Sequence, residues 1–254
     1  MGNSLRHEKK VVIVTGAAIG NGQAIARQFA VEGANVIVVD IAEATETIAL
    51  VNAANPTGTI ESIITDITSE EQVKKLTATI KEKYGRIDVL INNAGIYDEE
   101  PFELISYDDW KKVMDVNLNG LFLMTKAVLP LMKQNEFGRV INMSSNTIWL
   151  GTPYLVHYVT TKMGVIGFTR ALASEVGKYG ITVNALTVGL TATQRPADLQ
   201  PLRGNILSHL MPQQTAYQPE TPEDIAEIVC FLTSEKAAMI TGQALNVDGG
   251  VARH

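Results

Sequence analysis

The stretch HYVTTK, residues 157–162, sets Tyr158 four positions ahead of Lys162. On a helix that spacing puts both side chains on one face, a turn apart, where they can meet. The chemistry open to such a pair is proton transfer. A free phenol, with a pKa of about 10, is a poor base at neutral pH, and a neighbouring ammonium favours its ionised form. Lowering that pKa by roughly 2–3 units takes about 3–4 kcal/mol of differential interaction, which a partly desolvated site supplies. Two solvent-facing helix residues satisfy the same spacing, so the pair gains meaning only from the elements that carry it.

Those elements alternate along the chain. Apolar runs at 11–15, 35–40, 59–64, 88–92, 138–144, 181–187 and 244–248 read as seven strands. Their apolar residues run on instead of alternating, which predicts burial on both faces. Segments with helical spacing lie between them, at 21–32, 42–54, 69–84, 108–134, 155–178 and 222–234. The last opens on Thr221-Pro222-Glu223-Asp224, an N-cap, a first-turn proline and two acids. The alternation predicts a doubly wound parallel α/β sheet with helices on both faces, and ligands at the carboxyl ends of its strands. The stretch 190–220 breaks the rhythm with Pro196, Pro201, Pro212 and Pro219 and is expected to be a substrate lid. Residues 1–9 read as a polar tail.

Composition narrows the function classes. The 254 residues carry no linker, repeat or low-complexity run, which favours one domain spanning 1–254. The net charge of -6, with no basic cluster interleaved with aromatics, argues against nucleic acid as a partner. Cys230 is the single cysteine, so no intrachain disulfide is possible, which fits a reducing, cytoplasmic setting. No apolar stretch is long enough to cross a bilayer. The start, MGNSLRHEKK, lacks a signal-peptide core, and Arg6 breaks the myristoylation pattern. The sequon Asn142-Met143-Ser144 falls in an expected buried strand and is read as chance.

The first strand runs into TGAAIGNG, with Gly16, Gly20 and Gly22 at the strand-to-helix turn. Glycine there admits positive φ and lets the backbone approach a pyrophosphate at the helix N-terminus. Asp40 ends the second strand, 18 residues beyond Gly22, where a carboxylate can accept hydrogen bonds from both adenosine ribose hydroxyls. It would repel a 2′-phosphate. No basic residue follows it (Ile41, Ala42) and none sits in the turn (Ala17, Ala18), so NAD is expected over NADP. The alternative for Asp40 is an ordinary strand-end acid.

The spacing G-x-x-x-G-x-G after Thr15 resembles that of the short-chain dehydrogenase/reductase family, and further motifs carry the resemblance over nearly the whole chain. They are NNAG (92–95), Asn117 in VNLNG, Ser145 in MSS, Tyr158 and Lys162 at 13 and 17 residues beyond it, and TGQALNVDGG near the end. The resemblance implies a single-domain Rossmann-type fold and NAD-dependent interconversion of an alcohol and its carbonyl. It assigns Tyr158 as general acid/base and Ser145 as the residue that holds the substrate oxygen. Lys162 would also bind the nicotinamide ribose, and Asn117 would hold a water linked to Lys162. By position it adds Ile19, Gly20, Asn21 and Gly22 in the turn, then Asp40 and Ile41, to the cofactor contacts. Asp66 and Ile67 would flank the adenine, with Asn93, Ala94 and Gly95 along the ribose. Thr191 and Thr193 would reach the carboxamide and phosphates, Gly189 would allow close approach to the nicotinamide, and Leu190 joins them among the cofactor contacts. Asp66 as a turn acid, and the threonines as helix starters, are the bland alternatives. Two positions depart from the pattern: Asn21 stands for the usual isoleucine, and Val188-Gly189 for the usual Pro-Gly.

The substrate pocket should draw on Ile96, Tyr97, Thr147, Trp149, Leu150, Tyr154, His157, Ser145, Tyr158 and the lid. Ordinary packing is the alternative for Trp149 and Tyr97, and His157 is read as lying behind the pocket or on the surface. The largely apolar set, with no cation near Ser145, predicts a neutral, fairly hydrophobic secondary alcohol or ketone, aryl ones included. The runs SSNTIWLGTP, GFTRALASE and VDGGVARH resemble NAD-dependent 1-phenylethanol dehydrogenases and their relatives. Two alternatives stand beside this. A 3-oxoacyl-carrier-protein reductase would need a basic docking rim, where this chain has Asp98-Glu99-Glu100. A non-catalytic NAD-binding regulator would have little use for both Tyr158 and Lys162. The long helices at 108–134 and 155–178 carry more apolar residues than one sheet face needs, which predicts a homotetramer or homodimer. No metal site is expected.

Overall fold

The computed structural model describes residues 5–191, 216 and 220–253. Most of the expected lid, and Thr193 with it, lies outside the described residues. The Val- and Ile-rich runs form one seven-stranded parallel sheet in the order β3-β2-β1-β4-β5-β6-β7. Its strands are β1 (Val11–Thr15), β2 (Asn35–Asp40), β3 (Thr59–Ile64), β4 (Val89–Asn92), β5 (Gly138–Ser145), β6 (Ile181–Val188) and β7 (Ala244–Val247). The helices between them are α1 (Gly20–Val31), α2 (Thr45–Ala53), α3 (Glu70–Tyr84), α4 (Tyr107–Met114), α5 (Gly120–Gln134), α6 (Thr147–Leu150), α7 (Val156–Val176) and α8 (Pro222–Thr233). The chain steps outward from β1 in both directions, so the carboxyl ends of β1 and β4 flank the switch point.

Burial follows position in the sheet. Strands β1, β4, β5 and β6 are buried at every residue. The edge strands β3 and β7 are only partly covered, which corrects the expectation of two buried faces for all seven. An edge strand has a neighbour on one side only, and half-buried Glu61 of β3 accepts from Tyr84 Oη at 2.8 Å. One core layer packs Ile25 and Phe29 of α1 with Val229 and Leu232 of α8. The opposite layer packs Ile80 of α3, Met124 and Val128 of α5, and Val176 of α7. Each such side chain contributes roughly 1.5–3 kcal/mol when fully buried.

Three local features differ from the sequence reading. The helix expected over 108–134 is broken by a π turn, Asp115–Asn119, between α4 and α5. One inserted residue leaves the apolar period almost intact, so periodicity does not reveal it; such turns gather at functional sites. The polar tail docks from Arg6 onward. Arg6 pairs with Glu32 and, at 2.8 Å, with Glu227, while buried His7 meets Glu32 Oε2 at 2.7 Å and Thr233 Oγ1 at 3.0 Å. Asn142 is wholly buried in β5, which closes the sequon. The capping box read at Thr221 and Asp224 is present. No helix among the described residues is long and apolar enough to cross a membrane.

Candidate active site

The site grows from the end of β1. Gly16 and Gly20 take φ of +62° and +66°, values an L side chain rarely adopts. A Cβ on Gly16 would lie 2.7 Å from Ala94 Cα, so the bare backbone lets the β1 and β4 turns touch. A Cβ on Gly22 would lie 2.6 Å from Asn93 Nδ2 and closer still to Gly16 O. Helix α1 has Ile19 at its N-cap, with no side-chain cap and no acid in its first turn. Its leading N–H groups are left for an anion, which is the donor set a dinucleotide pyrophosphate needs. Asp40 accepts from Ala18 N at 3.0 Å and Ala42 N at 3.2 Å, which aims its carboxylate at the rim of the same turn. These residues fit a nicotinamide dinucleotide.

Thr15, unassigned in the sequence reading, ties the two turns together. Its Oγ1 accepts from Asn93 N at 3.0 Å and Ala94 N at 3.1 Å and donates to Ile91 O. Asn93 Nδ2 returns to Thr15 O and Gly16 O. Beneath them a buried ladder links β4, β5, α5 and α7: Asn92 Nδ2 donates to Asn142 Oδ1 at 2.8 Å and to Thr125 Oγ1, and Asn142 Nδ2 donates to Thr169 Oγ1. Asn117, carried by the π turn, clamps Ile96 from both sides, accepting from its N and donating to its O at 2.8 Å each. It also donates to Thr161 of α7. A Cβ on Gly95 would sit 3.3 Å from both Asn117 Oδ1 and Lys162 Nζ, so these three groups converge.

Helix α7 brings the opening pair to the cleft. Ser144 Oγ donates to Lys162 O at 2.8 Å, pinning the helix to β5. Lys162 is buried, its Nζ donates to Met143 O at 2.9 Å, and it lies 5.5 Å from the centre of the Tyr158 ring. Burial pushes its ammonium down to about 8, so it still carries charge at neutral pH. Tyr97 packs at 5.4 Å from Tyr158, centre to centre. Ser145 Oγ accepts from Thr147 Oγ1 at 3.0 Å and from Thr147 N at 3.3 Å, which leaves its own hydrogen to donate.

One cavity of about 600 Å³ gathers most of the expected residues. Gly16, Ile19, Gly20, Asn21, Asp40, Ile41, Asp66 and Ile67 line one end, and Asn93, Ala94, Gly95 and Lys162 the middle. Ser145, Thr147, Tyr97, Tyr158, Gly189, Leu190 and Thr191 line the other. Lys162 is the one cation among the described lining residues. Asp66 lines the cavity and also serves as a turn acid, accepting from Thr68 N and Oγ1. Gly22 and Asn117 stand just behind the wall. Trp149, Leu150 and Tyr154 are not among the described lining residues. Trp149 packs on the cluster around Ile148 and Val165, and Tyr154 faces outward at 57 % exposure. His157 is buried and its Nδ1 accepts from Tyr158 N, which makes it a support for α7. Leu155 and Thr152, not singled out in the sequence, line the cavity instead.

A doubly wound sheet with an uncapped glycine turn, an acid closing β2 and a Ser–Tyr–Lys cleft defines a dinucleotide-dependent oxidoreductase. The family profile described as "Enoyl-(Acyl carrier protein) reductase" matches residues 16–252. A 3-oxoacyl-[acyl-carrier-protein] reductase of Thermotoga maritima is 35% identical over 248 residues, 97% of this chain and 99% of its own. An acetoacetyl-CoA reductase of Acinetobacter sp. is 35% identical over 97% of this chain and 99% of its own. A D-threitol dehydrogenase of Mycolicibacterium smegmatis is 37% identical over 96% and 94%. The chain belongs to the short-chain dehydrogenase/reductase family, as an NAD(P)-dependent oxidoreductase of alcohol and carbonyl substrates. These relatives stand closer to ketoreductases than to the 1-phenylethanol subgroup that the sequence suggested.

Proposed function

We propose that the protein is an NAD(H)-dependent ketoreductase that interconverts a 3-oxoacyl-type ketone and its secondary alcohol. The reading is carried by the convergence of Ser145, Tyr158 and Lys162 at one end of the cavity whose other end is the glycine turn. The carbonyl class is suggested by the reductases of 3-oxoacyl and acetoacetyl thioesters among the relatives. A bound nicotinamide supplies or accepts the hydride. Tyr158 gives its phenolic proton to the carbonyl oxygen in reduction and takes the hydroxyl proton back in oxidation. Lys162 favours the phenolate by its charge, and Ser145 holds the oxygen in reach by donating to it.

A second reading is favoured by the lining itself. Ile96, Tyr97, Leu155 and Leu190 make this end apolar, and Glu99 stands among the lining residues. An anionic carrier would meet that acid, whereas a neutral hydrophobic secondary alcohol such as 1-phenylethanol would not. Initial rates with acetoacetyl-CoA and with 1-phenylethanol, each with NAD(H) and NADP(H), separate the two. The expected result is thioester reduction, with NADH favoured over NADPH about 10- to 100-fold, because Asp40 would repel a 2′-phosphate. Turnover of the aryl alcohol alone would move the second reading to first place. A preference for NADPH would overturn the role of Asp40.

The same proposal includes self-association through α5 and α7, where Phe122, Val156 and Met163 are exposed at 46 %, 39 % and 44 %. Light scattering is expected to give a dimer or tetramer mass. A monomer at micromolar concentration would contradict it.

A further inference from the structure

Glu220 precedes the cap of α8, and the catalytic scheme makes no use of it. The residue is 7 % exposed. Its Oε1 accepts from Thr191 Oγ1 at 3.0 Å, and Oε2 is buried without a hydrogen-bond partner among the described residues. A Cβ on Gly189 would lie 2.5 Å from that Oε2 and 2.8 Å from Asp248 Cβ, so the carboxyl leans on the bare backbone of the cleft wall. The Gly189 N–H, committed to Val247 O at 3.0 Å, offers it only a weak secondary contact. Gly189, Leu190 and Thr191 form the face of that wall. Thr191 also accepts, at 3.4 Å, from Asn21 of the glycine turn, so one chain of contacts joins both ends of the cofactor cleft to this carboxyl.

Among the described residues, the charged groups facing Glu220 are anionic. Asp248, at the end of β7, is held ionised by Ala252 N at 2.7 Å, Gly250 N at 2.9 Å and Asn146 Nδ2 at 3.1 Å. Asp224 belongs to the capping box of α8. Burial first, then these two carboxylates, push the Glu220 carboxyl up to about 7 against the pull of Thr191 and Gly189. A buried carboxyl poised near neutrality, one backbone thickness from the cleft, responds to any charge that arrives there.

We infer that Glu220 tunes which redox form of the dinucleotide the cleft prefers: ionised, it favours the cationic oxidised nicotinamide, and protonated, it suits the neutral reduced one. The inference rests on the reading that the nicotinamide lies against Gly189 and Thr191. Binding of the oxidised form then expels a proton from Glu220, and its affinity rises with pH; the reduced form binds with little pH dependence. Lys162 also titrates in the cleft, at the β5 and α7 side, so the variant must separate the two groups. Glu220→Gln keeps the shape and removes the titration.

The test is fluorescence or calorimetric titration of the full chain with NAD⁺ and with NADH from pH 6 to 8.5, for the wild type and Glu220→Gln. The wild-type preference for NAD⁺ over NADH should rise about ten-fold across that range. The variant should be flat between pH 6 and 7.5, where Lys162 stays charged. Calorimetry at pH 6.5 in two buffers of different ionisation enthalpy should show a fraction of a proton released per NAD⁺ bound to the wild type. A pH-independent ratio, an unchanged slope in the variant, or no proton release would overturn the inference while leaving the cofactor reading intact. If Glu220→Gln does not fold, Thr191→Val takes its place: without the hydroxyl that stabilises the Glu220 carboxylate, the pH at which NAD⁺ binding releases its proton should move up, and no move would overturn the inference. Failure to bind either dinucleotide would overturn the cofactor reading and this inference together.

Discussion

Tyr158→Phe is expected to lower turnover of any accepted ketone or alcohol about 10²- to 10⁴-fold while leaving dinucleotide affinity within about two- to three-fold. The variant deletes one oxygen and keeps the ring that packs against Tyr97 at 5.4 Å, so the cleft wall and the start of α7 keep their shape. What it removes is the only group in the proposed scheme that moves a proton to or from the substrate oxygen. Lys162 cannot take over: its Nζ is tied to Met143 O, and it sits behind the phenol. Ser145, whose Oγ accepts from Thr147, would donate a hydrogen bond to the substrate oxygen in the proposed scheme, but no carboxylate or imidazole among its hydrogen-bond partners in the described residues could take a proton onward from it. Stopped-flow rates and a dinucleotide titration on the same preparation separate the two effects. Retention of more than about a tenth of wild-type turnover would show that the proton travels by another route.

The parts of this site differ in how plainly the sequence announces them. The glycine turn, Asp40, NNAG, Ser145, Tyr158 and Lys162 are legible because each lies just after a strand or at helical spacing from one that does. Strand order then brings them to the same cleft. The hidden parts lack such a marker. Thr15, Ser144 and Thr161 tie the site together through hydroxyl bonds to backbone or amide groups 18 to 79 residues away, and hydroxyls recur throughout the chain without pattern. The π turn under Asn117 shifts the helix by one residue, too little to disturb its apolar period. Trp149 and Tyr154 were attractive as aromatics near Ser145. The left-handed turn at Gly151, φ +58°, and Tyr154 itself, φ +65°, direct the chain so that Thr152 and Leu155 reach the cavity in their place. Glu220 is the extreme case, because nothing in the residues beside it says that its carboxyl crosses to Gly189.

Lys162→Met is expected to make the dinucleotide-free protein more stable at pH 7 while abolishing most of its activity. The ammonium is fully buried with one hydrogen bond, to Met143 O, and burial holds its pKa at about 8 against the usual 10.5. Below pH 8 the lysine is charged in both folded and unfolded chains, and the folded state bears the full cost of that buried charge. Between pH 8 and 10.5 the folded lysine sheds its proton first. The unfolded chain then binds more protons, so wild-type stability gains with rising pH across this window. The shift corresponds to roughly 3 kcal/mol. Methionine fills nearly the same volume without charge, but it leaves the Met143 carbonyl short of a partner, which costs about 1–2 kcal/mol. The net gain at pH 7 is therefore about 1–2 kcal/mol, a rise in Tm of roughly 2–8 °C for a chain of this size. By pH 10.5 the advantage should be gone, because the wild-type lysine is neutral there too. Thermal melts of both proteins at pH 7, 9 and 10.5, paired with rates at pH 7, read stability and function separately. A variant less stable at pH 7, or a difference that ignores pH, would mean that the protein interior already solvates this charge. A stabilised, inactive variant would mean that the fold tolerates an unfavourable buried ammonium because the phenol beside it requires one.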